Sequence, residues 1–214
     1  MEISPRDLNR EQTYKLMVGA IVPRPVAWIT SLSPEGRVNA APFSAFTLLS
    51  QDPPVVLFQA NRGLRGGSEP IEKDTARNVR LTGEFVVNIP NEDTLEAMHA
   101  CSTPLPPEQS EPEVFGIALA PSQIVKPPRV AAAPICFECR LMQHFDIGHE
   151  PHTVFIGEVV HFYVSDAVQT EGAIDPNKLR PVARIGGPWY AKLGELVYLP
   201  VPKGPVAEVR PGKS

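Results

Sequence analysis

The sequence predicts a mainly β fold with few helices. Proline accounts for 25 of the 214 residues, about twice its usual share, and proline breaks the hydrogen-bond ladder of long helices. Short apolar runs of strand length recur along the chain, and turn signals containing Gly or Pro separate them. A closed barrel would remove exposed sheet edges, whereas a Greek-key sandwich suits the same pattern. The sequence therefore leaves both architectures open.

The N-terminal part predicts a helix followed by a hairpin. Residues 10–18 have the pattern of a short helix, and Gly19 is placed to end it. Residues 26–32 alternate as a strand does, and the turn that follows, 33–36, has Pro second and Gly fourth. We therefore expect the chain to return through residues 37–42 as a second strand.

The central part predicts a buried strand and a capped helix. A continuous apolar run at 55–58 follows a Pro-Pro pair and predicts the strand. Asp74 or Thr75 can cap a helix that runs to about Thr82, and Gly83 stands where helices commonly end. Three further elements are then expected: a strand at 85–89, a short helix at 92–101 and a Pro-rich surface loop at 102–112.

The clearest strand signal lies at 135–147, where apolar and polar residues alternate over thirteen positions. The expected apolar face consists of Ile135, Phe137, Cys139, Leu141, Phe145 and Ile147. A turn at 148–151 leads into a second long strand at 152–165, and the two strands should pair antiparallel. From Ala173 the chain reads as irregular until a short apolar run at 196–201. We expect one domain over 1–214, with its core at about 10–200 and a loose tail.

Charge and hydropathy argue against two classes of partner. Twenty basic residues stand against 24 acidic ones, a net charge of −4, and this lacks the basic footprint that nucleic acid requires. No stretch approaches the roughly 20 apolar residues that cross a bilayer, and the N-terminus has no basic-then-apolar signal. The expectation is a cytoplasmic protein that binds neither nucleic acid nor membrane.

The cysteines and histidines indicate no metal site. Three cysteines are an odd number, so they give no disulfide framework and suit a reducing compartment. Cys136 and Cys139 lie three apart in the predicted strand, where such positions point to opposite faces. Five histidines occur, and none has a second ligand at a spacing typical of zinc. We therefore interpret these residues as structural as far as metals are concerned.

Residues 37–83 have the character of a phosphate cradle. Small residues at 40, 41, 44 and 45 would let backbone N–H groups approach a flat ligand. Lys73, the Thr75 hydroxyl and a helix N-terminus would add donors and positive potential for a phosphate. Taken one at a time, Lys73 suits a solvated helix cap, and Asn39 and Ser44 suit ordinary turn residues. Only their joint spacing favours a site.

Several motifs in fixed order resemble the flavin reductase-like family, which includes flavoredoxin and has the FMN-binding split-barrel fold. The resemblance covers about residues 10–200, and an ordered series is more specific than any single motif. The motifs are Arg24-Pro25-Val26-Ala27-Trp28, Asn39-Ala40-Ala41-Pro42-Phe43-Ser44, Asp52-Pro53-Pro54, Lys73-Asp74-Thr75-x-x-Asn78, Gly83-Glu84-Phe85-Val86-Val87-Asn88 and His152-Thr153-x-x-Ile156-Gly157-Glu158-Val159.

The resemblance implies a six-stranded antiparallel split β-barrel with Greek-key topology and a few peripheral helices. It also implies a homodimer with non-covalent FMN near the subunit interface. The residues implied beside the flavin ring are Asn39, Ala41, Ser44 and Phe46. Those implied at the phosphate are Arg62, Lys73, Thr75 and Asn78. Arg184 and Tyr190 would lie in a segment that closes over the ring, and His152 would contact the flavin as the catalytic residue.

The function implied is an FMN-dependent oxidoreductase in which NAD(P)H is the transient electron donor. Free flavin or a redox partner protein would receive the electrons, and the cofactor would carry the chemistry. Two alternatives stay open: a non-catalytic flavin carrier or electron-transfer flavoprotein, and a scaffold that has lost its cofactor. The chain has no Gly-x-Gly-x-x-Gly fingerprint, so the sequence does not distinguish NADH from NADPH.

Overall fold

The structure, a computed structural model, describes residues 2–61, 72–149 and 152–200. Its strands are β1 (Arg24–Pro25), β2 (Ala27–Leu32), β3 (Val38–Phe43), β4 (Phe46–Gln51), β5 (Pro54–Ala60), β6 (Glu84–Ile89), β7 (Leu119–Ala120), β8 (Arg129–Val130), β9 (Ile135–Ile147), β10 (His152–Val164), β11 (Gln169–Thr170), β12 (Ala173–Ile174), β13 (Val182–Gly186) and β14 (Trp189–Lys192). Its α-helices are α1 (Arg10–Ala20), α2 (Asp74–Thr82), α3 (Leu95–Ala100), α4 (Glu111–Val114) and α5 (Pro176–Leu179). Short 3₁₀ helices occupy Pro5–Asp7, Glu92–Thr94 and Asp166–Val168.

The main sheet has seven antiparallel strands in the order β3-β2-β6-β9-β10-β5-β4. Its two outer strands, β3 and β4, are consecutive in the chain, and only Ser44 and Ala45 join them. Three Cα steps span at most about 11 Å, so the two sheet edges must meet at this connection. The sheet is therefore a barrel and not an open sandwich. The predicted mainly β, antiparallel barrel is confirmed, although the sheet has seven strands instead of six.

Side chains fill the interior of the barrel. The ring of Phe58 stacks on Phe155 at 4.9 Å and lies 5.3 Å from the rings of Phe43 and Phe85. These side chains come from β3, β5, β6 and β10, and α2 adds Ala76 and Val79 to the same cluster. Close aromatic packing leaves little room for a ligand inside. The interior of the barrel is therefore a packed core and not a ligand cavity.

A second core lies on the outer face of β2, β3, β6 and β9. It includes Trp28, Val86 and Cys136 from these strands and Met98 from α3. Because one face of β2 meets this outer core and the other meets the barrel interior, nearly all of β2 is buried. Cys139 belongs to the interior cluster. Cys136 and Cys139 therefore face opposite sides of the sheet, as the strand pattern predicts.

The long hairpin is confirmed, with β9 at the predicted bounds and β10 one residue shorter than predicted. Its predicted apolar face is only partly buried. β6 pairs with β9 only as far as Arg140, so the end of β9 pairs with β10 alone. Phe145 and Ile147 are therefore exposed, which corrects the expectation for that half of the strand.

Several other expectations about local structure are wrong. Gly19 lies inside α1, which ends one residue later at Ala20, with Ile21 as its C-cap. No strand is predicted from the sequence at β4, and β13 and β14 form a three-stranded sheet with β1 where irregular chain is expected. Residues 193–200 carry no regular structure, and 201 lies outside the described residues. No described helix has the length and apolar character needed to span a membrane.

Glu138 ties the loop before β8 to the barrel wall. Although only 1% of this residue in β9 is exposed, its carboxylate accepts hydrogen bonds from the backbone N–H groups of Gln123, Ile124 and Val125 at 2.7, 2.6 and 3.1 Å. Burial alone would raise the pKa of Glu138, but the three N–H donors outweigh burial and lower the pKa. The ionised carboxylate therefore stabilises the fold.

We expect Glu138→Gln to lower the free energy of unfolding by about 2 kcal/mol near neutral pH, because the amide group places a donor against backbone donors. The folded-state pKa lies below the ordinary glutamate value of 4.5. The stabilisation is thus present above that value and is lost as the pH falls through the lowered pKa. Urea unfolding at about pH 7 and about pH 4 measures this, and the difference between wild type and variant should shrink at the lower pH. An equal difference at both pH values would contradict it.

Candidate cofactor site

Several predicted site residues gather around the β3–β4 connection. Ser44 lies in the connection, and Phe46 follows it and pairs with Phe58 of β5. The N–H of Gln59 donates to the carbonyl of Ala45 at 2.9 Å. Thr153, the residue after His152, pairs with Ala60 of β5, and β5 lies between β10 and β4. His152 is therefore about two strand spacings, roughly 10 Å, from the β3–β4 connection.

Lys73 brings a positive charge to the same place. Its Nζ lies 5.6 Å from the centre of the Phe43 ring, at the end of β3. The side chain is exposed, yet the surrounding protein lowers the pKa of its ammonium by desolvation. A cation at this position suits an anionic ligand.

The N-terminus of α2 adds to this positive potential. Lys73, and not Asp74 or Thr75, is the N-cap residue, which corrects the sequence-based assignment by one position. Lysine carries no side-chain acceptor, and Lys73 makes no side-chain capping hydrogen bond to α2, whereas Asn9 caps α1 with its side chain. The N–H groups at a helix start attract anions such as phosphate.

The structure brings Asn39, Thr75 and Asn78 together in a buried polar cluster. The Thr75 hydroxyl donates to Oδ1 of Asn39 at 2.5 Å. Nδ2 of Asn78 donates to the hydroxyl of Ser31 at 3.3 Å, and that hydroxyl lies 3.4 Å from Asn39 Oδ1. Because these three predicted site residues bond within the protein and are buried, the geometry favours an indirect role in which they hold the first turn of α2 against β3. A direct contact between the Thr75 hydroxyl and a phosphate stays a prediction.

Glu111 is the member of this cluster that sequence reasoning missed. Its carboxylate accepts hydrogen bonds from Asn39 Nδ2 and from the N–H of Ala40 at 2.9 to 3.0 Å. Burial raises the pKa of Glu111, with further contributions that include the nearby Asp74. The only sequence signal was local: Ser110-Glu111-Pro112 has the form of a helix start.

Arg184 and Tyr190 form a separate group on the β13–β14 hairpin. Nη1 of Arg184 donates to the Tyr190 hydroxyl at 2.5 Å, and the guanidinium lies 4.6 Å from the centre of the Tyr190 ring. Arg184 also donates to the carbonyl of Gly187, and the Tyr190 hydroxyl lies 3.1 Å from Nδ1 of His99 in α3. The structure therefore brings the two residues together. Their hydrogen bonds link the two strands of the hairpin to each other and link the hairpin to α3.

The remaining predicted site residues, Ala41, His152 and Arg62, have different surroundings. Ala41 of β3 is partly buried and packs against the barrel core. His152 begins β10, and its Nδ1 is buried with no hydrogen-bond partner in the described part of the chain. Such an atom is available to a ligand. Arg62 lies outside the described residues, and within 2–61, 72–149 and 152–200 no group of three His, Cys, Asp or Glu residues could hold a metal ion.

A family model described as the flavin reductase like domain matches residues 18–182. The chain belongs to this family. A protein of Halalkalibacterium halodurans with no assigned function is 42% identical over 208 residues, covering 94% of this chain and 97% of its own length. The family match ends at the start of β13, so Arg184 and Tyr190 lie beyond it.

Solved structures of the flavin reductase-like fold show the same architecture. Nitrilotriacetate monooxygenase component B from Bacillus cereus is 36% identical with a TM-score of 0.87, and the match covers 93% of this chain and 98% of that chain. The 2-nitrobenzoate 2-nitroreductase of Pseudomonas fluorescens is 33% identical with a TM-score of 0.84, covering 95% and 97%. Flavoredoxin of Desulfovibrio vulgaris (Miyazaki F), 21% identical with a TM-score of 0.70 and covering 93% and 97%, shares the fold.

Proposed function

We propose that the protein is an FMN-dependent oxidoreductase that takes electrons from NAD(P)H and passes them to free flavin or to a redox partner protein. One observation carries the proposal: Lys73 and the start of α2 lie beside the β3–β4 connection in a chain of the flavin reductase-like family. The similarity to a monooxygenase component and to a nitroreductase supports it. With three free, buried cysteines, the cytoplasm is the compartment proposed.

The phosphate of non-covalent FMN would bind at Lys73 and the first N–H groups of α2, with Arg62 as a further cation. The buried cluster of Asn39, Thr75 and Asn78 would hold this turn in place. A cationic side chain and helix N–H groups match the chemistry of a phosphate, so the residues present fit the group.

The ring end would lie against the outer wall of the barrel, because the interior is filled. Ser44 and the backbone at Ala41 would face the ring, Phe46 would pack nearby against the barrel core, and Arg184 and Tyr190 would close over the ring. Bound FMN supplies hydride acceptance from a nicotinamide and onward electron transfer. His152 would donate a hydrogen bond from its ring to a flavin oxygen and stabilise negative charge there.

We further propose a homodimer. Several large apolar side chains are exposed on the β4 edge and on the long hairpin, namely Leu48, Leu49, Met142, Phe145, Ile147 and Phe162. Exposed apolar residues of this number are typical of an interface. Light scattering should give twice the mass of one chain, and Leu48→Glu should shift the equilibrium towards monomer. A monomeric wild type that binds FMN would contradict the dimer.

The test of the enzyme is direct. The purified protein is mixed with FMN, separated from free flavin and examined by its visible spectrum, and the complex is then mixed without oxygen with NADH or NADPH. We expect a bound yellow flavin that bleaches with at least one nucleotide while that nucleotide is oxidised. A protein that neither binds FMN nor oxidises either nucleotide would overturn the proposal.

A non-catalytic flavin carrier is the alternative, and the similarity to flavoredoxin is its support. The identity to the monooxygenase component is higher, 36% against 21%, and favours the reductase. Multiple turnovers of NADH or NADPH by the complex would establish the reductase. Slow bleaching by both nucleotides, together with fast electron exchange with a redox protein, would establish the carrier.

A further inference from the structure

A buried carboxylate covers the outer edge of β3 next to the candidate site. Glu111 is 6% exposed and begins α4, at the end of the Pro-rich excursion. Its Oε2 accepts from the N–H of Ala40 at 3.0 Å, and the hydroxyl of the preceding Ser110 donates to the carbonyl of Val38 at 2.7 Å. Two neighbouring side chains thus satisfy backbone groups that an edge strand would otherwise leave unpaired.

The same carboxylate determines how the amide of Asn39 is oriented. Both oxygens of Glu111 lie 2.9 to 3.0 Å from Nδ2 of Asn39. A carboxylate that receives N–H groups at both oxygens acts as acceptor only, so the amide must present its NH₂ group to Glu111. Oδ1 of Asn39 is then turned towards the Thr75 hydroxyl, which donates to it at 2.5 Å.

The chain of bonds from Glu111 ends in the first turn of α2. Thr75 is the second residue of that helix and 1% exposed, and Lys73 is the N-cap two residues earlier. Through Asn39, the carboxylate therefore controls where Lys73 and the first N–H groups lie relative to β3.

We propose that Glu111 is a positioning residue for the flavin site, acting through Asn39 and Thr75 on the start of α2; this rests on the proposed function. Burying a carboxylate costs stability unless it is well bonded. The negative charge of Asp74 raises this cost further. Burial, together with the charge of Glu111, raises the pKa of the Cys101 thiol. The three N–H contacts of Glu111 offset this cost.

The first test is Glu111→Gln, with FMN affinity measured by quenching of flavin fluorescence at a temperature where circular dichroism shows a folded protein. Because both oxygens of Glu111 contact Asn39 Nδ2, the new amide NH₂ faces the NH₂ of Asn39 in either orientation. We expect Asn39 to turn in response, which takes away the acceptor of the Thr75 hydroxyl. We expect the Kd for FMN to rise about tenfold, the equivalent of one lost hydrogen bond. Glu113→Gln, in the same helix and exposed, is the matched control and should leave the Kd unchanged.

The double variant Asn39→Asp/Glu111→Gln exchanges donor and acceptor. The new amide at 111 donates to the new carboxylate at 39 and accepts from Ala40, and the carboxylate at 39 accepts from Thr75. The bonds to Ala40 and Thr75 and one of the two bonds between positions 39 and 111 are restored with the charge unchanged, so the Kd should return to within about threefold of wild type. This variant also serves where Glu111→Gln alone does not fold.

The outcomes separate this inference from the proposed function. A wild type that fails to bind FMN overturns the proposed function itself. A wild type that binds FMN, with a Glu111→Gln variant of lower stability but equal Kd, shows a purely structural carboxylate and overturns the inference alone. A double variant that is folded and stable yet still binds weakly overturns it too, because restoring the bonds that reach the first turn of α2 would then not restore the site.

Discussion

Replacing Lys73 by methionine is expected to raise the Kd for FMN by about 10- to 150-fold, since a hydrogen bond to a charged group contributes about 1.5–3 kcal/mol. Methionine keeps the length and apolar stem of the side chain and removes only the charge. Lys73 is the N-cap of α2 and lies over Phe43, so under the proposed function its ammonium and the helix N–H groups would act on the same phosphate. Fluorescence titration with FMN at low salt is the measurement.

Lys15→Met is the matched control for this change. Lys15 lies on α1, its side chain is 71% exposed, and it pairs with Glu11 one turn earlier. Its removal should leave the Kd unchanged. The affinity of wild type should also fall with added salt, and that of Lys73→Met should fall less steeply, because one charged contact is missing. Equal affinity of Lys73→Met and wild type would place the phosphate elsewhere, with Arg62 as the next candidate.

Gly157→Ala should lower the free energy of unfolding by about 2–3 kcal/mol, the cost of overpacking a close-packed interior. A Cβ at Gly157 would stand 2.5 Å from Cζ and 2.7 Å from Cε1 of Phe85. Phe85 is fully buried, and its ring already lies 5.3 Å from that of Phe58, so it has little freedom to move. Urea unfolding followed by circular dichroism measures the loss.

Gly19→Ala provides the opposite control. Gly19 lies in α1 with nothing within 4 Å of the added Cβ, so alanine should stabilise the helix by up to about 1 kcal/mol. In the Gly157→Ala background, Phe85→Leu should recover part of the loss by making room for the new methyl group. If Gly157→Ala were as stable as wild type, the close approach of β10 to Phe85 would be wrong.

The strands that the sequence predicts well are those whose two faces meet different surroundings. The bounds of β9 follow from its alternation alone, and the β2–β3 hairpin follows from a turn that forms as predicted. The strand β4 is not predicted from the sequence because Leu48 and Leu49 are both exposed at a register shift. Its sequence therefore shows no period-2 alternation. The β13–β14 hairpin consists of two short strands with Gly-Gly at the turn, so it gives no periodic signal either.

The residues of the candidate site also differ in how well the sequence predicts them. Lys73 and Thr75 could be found because a helix start is a local signal that a few residues specify. Glu111 could not, because its partner Asn39 is 72 positions away and it comes from a Pro-rich loop without periodicity. Only the folded chain shows that Asn39, predicted as a ring contact, bonds to a carboxylate and to Thr75.

A chain reopened between Ser44 and Ala45, with its original ends joined, would keep every strand pairing of the sheet. It would nevertheless lose the covalent link that holds the first and last strands side by side. β3 and β4 could then separate at this point, and the proposed ring site beside them would widen before the packing of the hydrophobic interior weakened. Retention of the proposed cofactor would therefore depend on where the backbone is continuous, and not only on how strongly the strands adhere to each other.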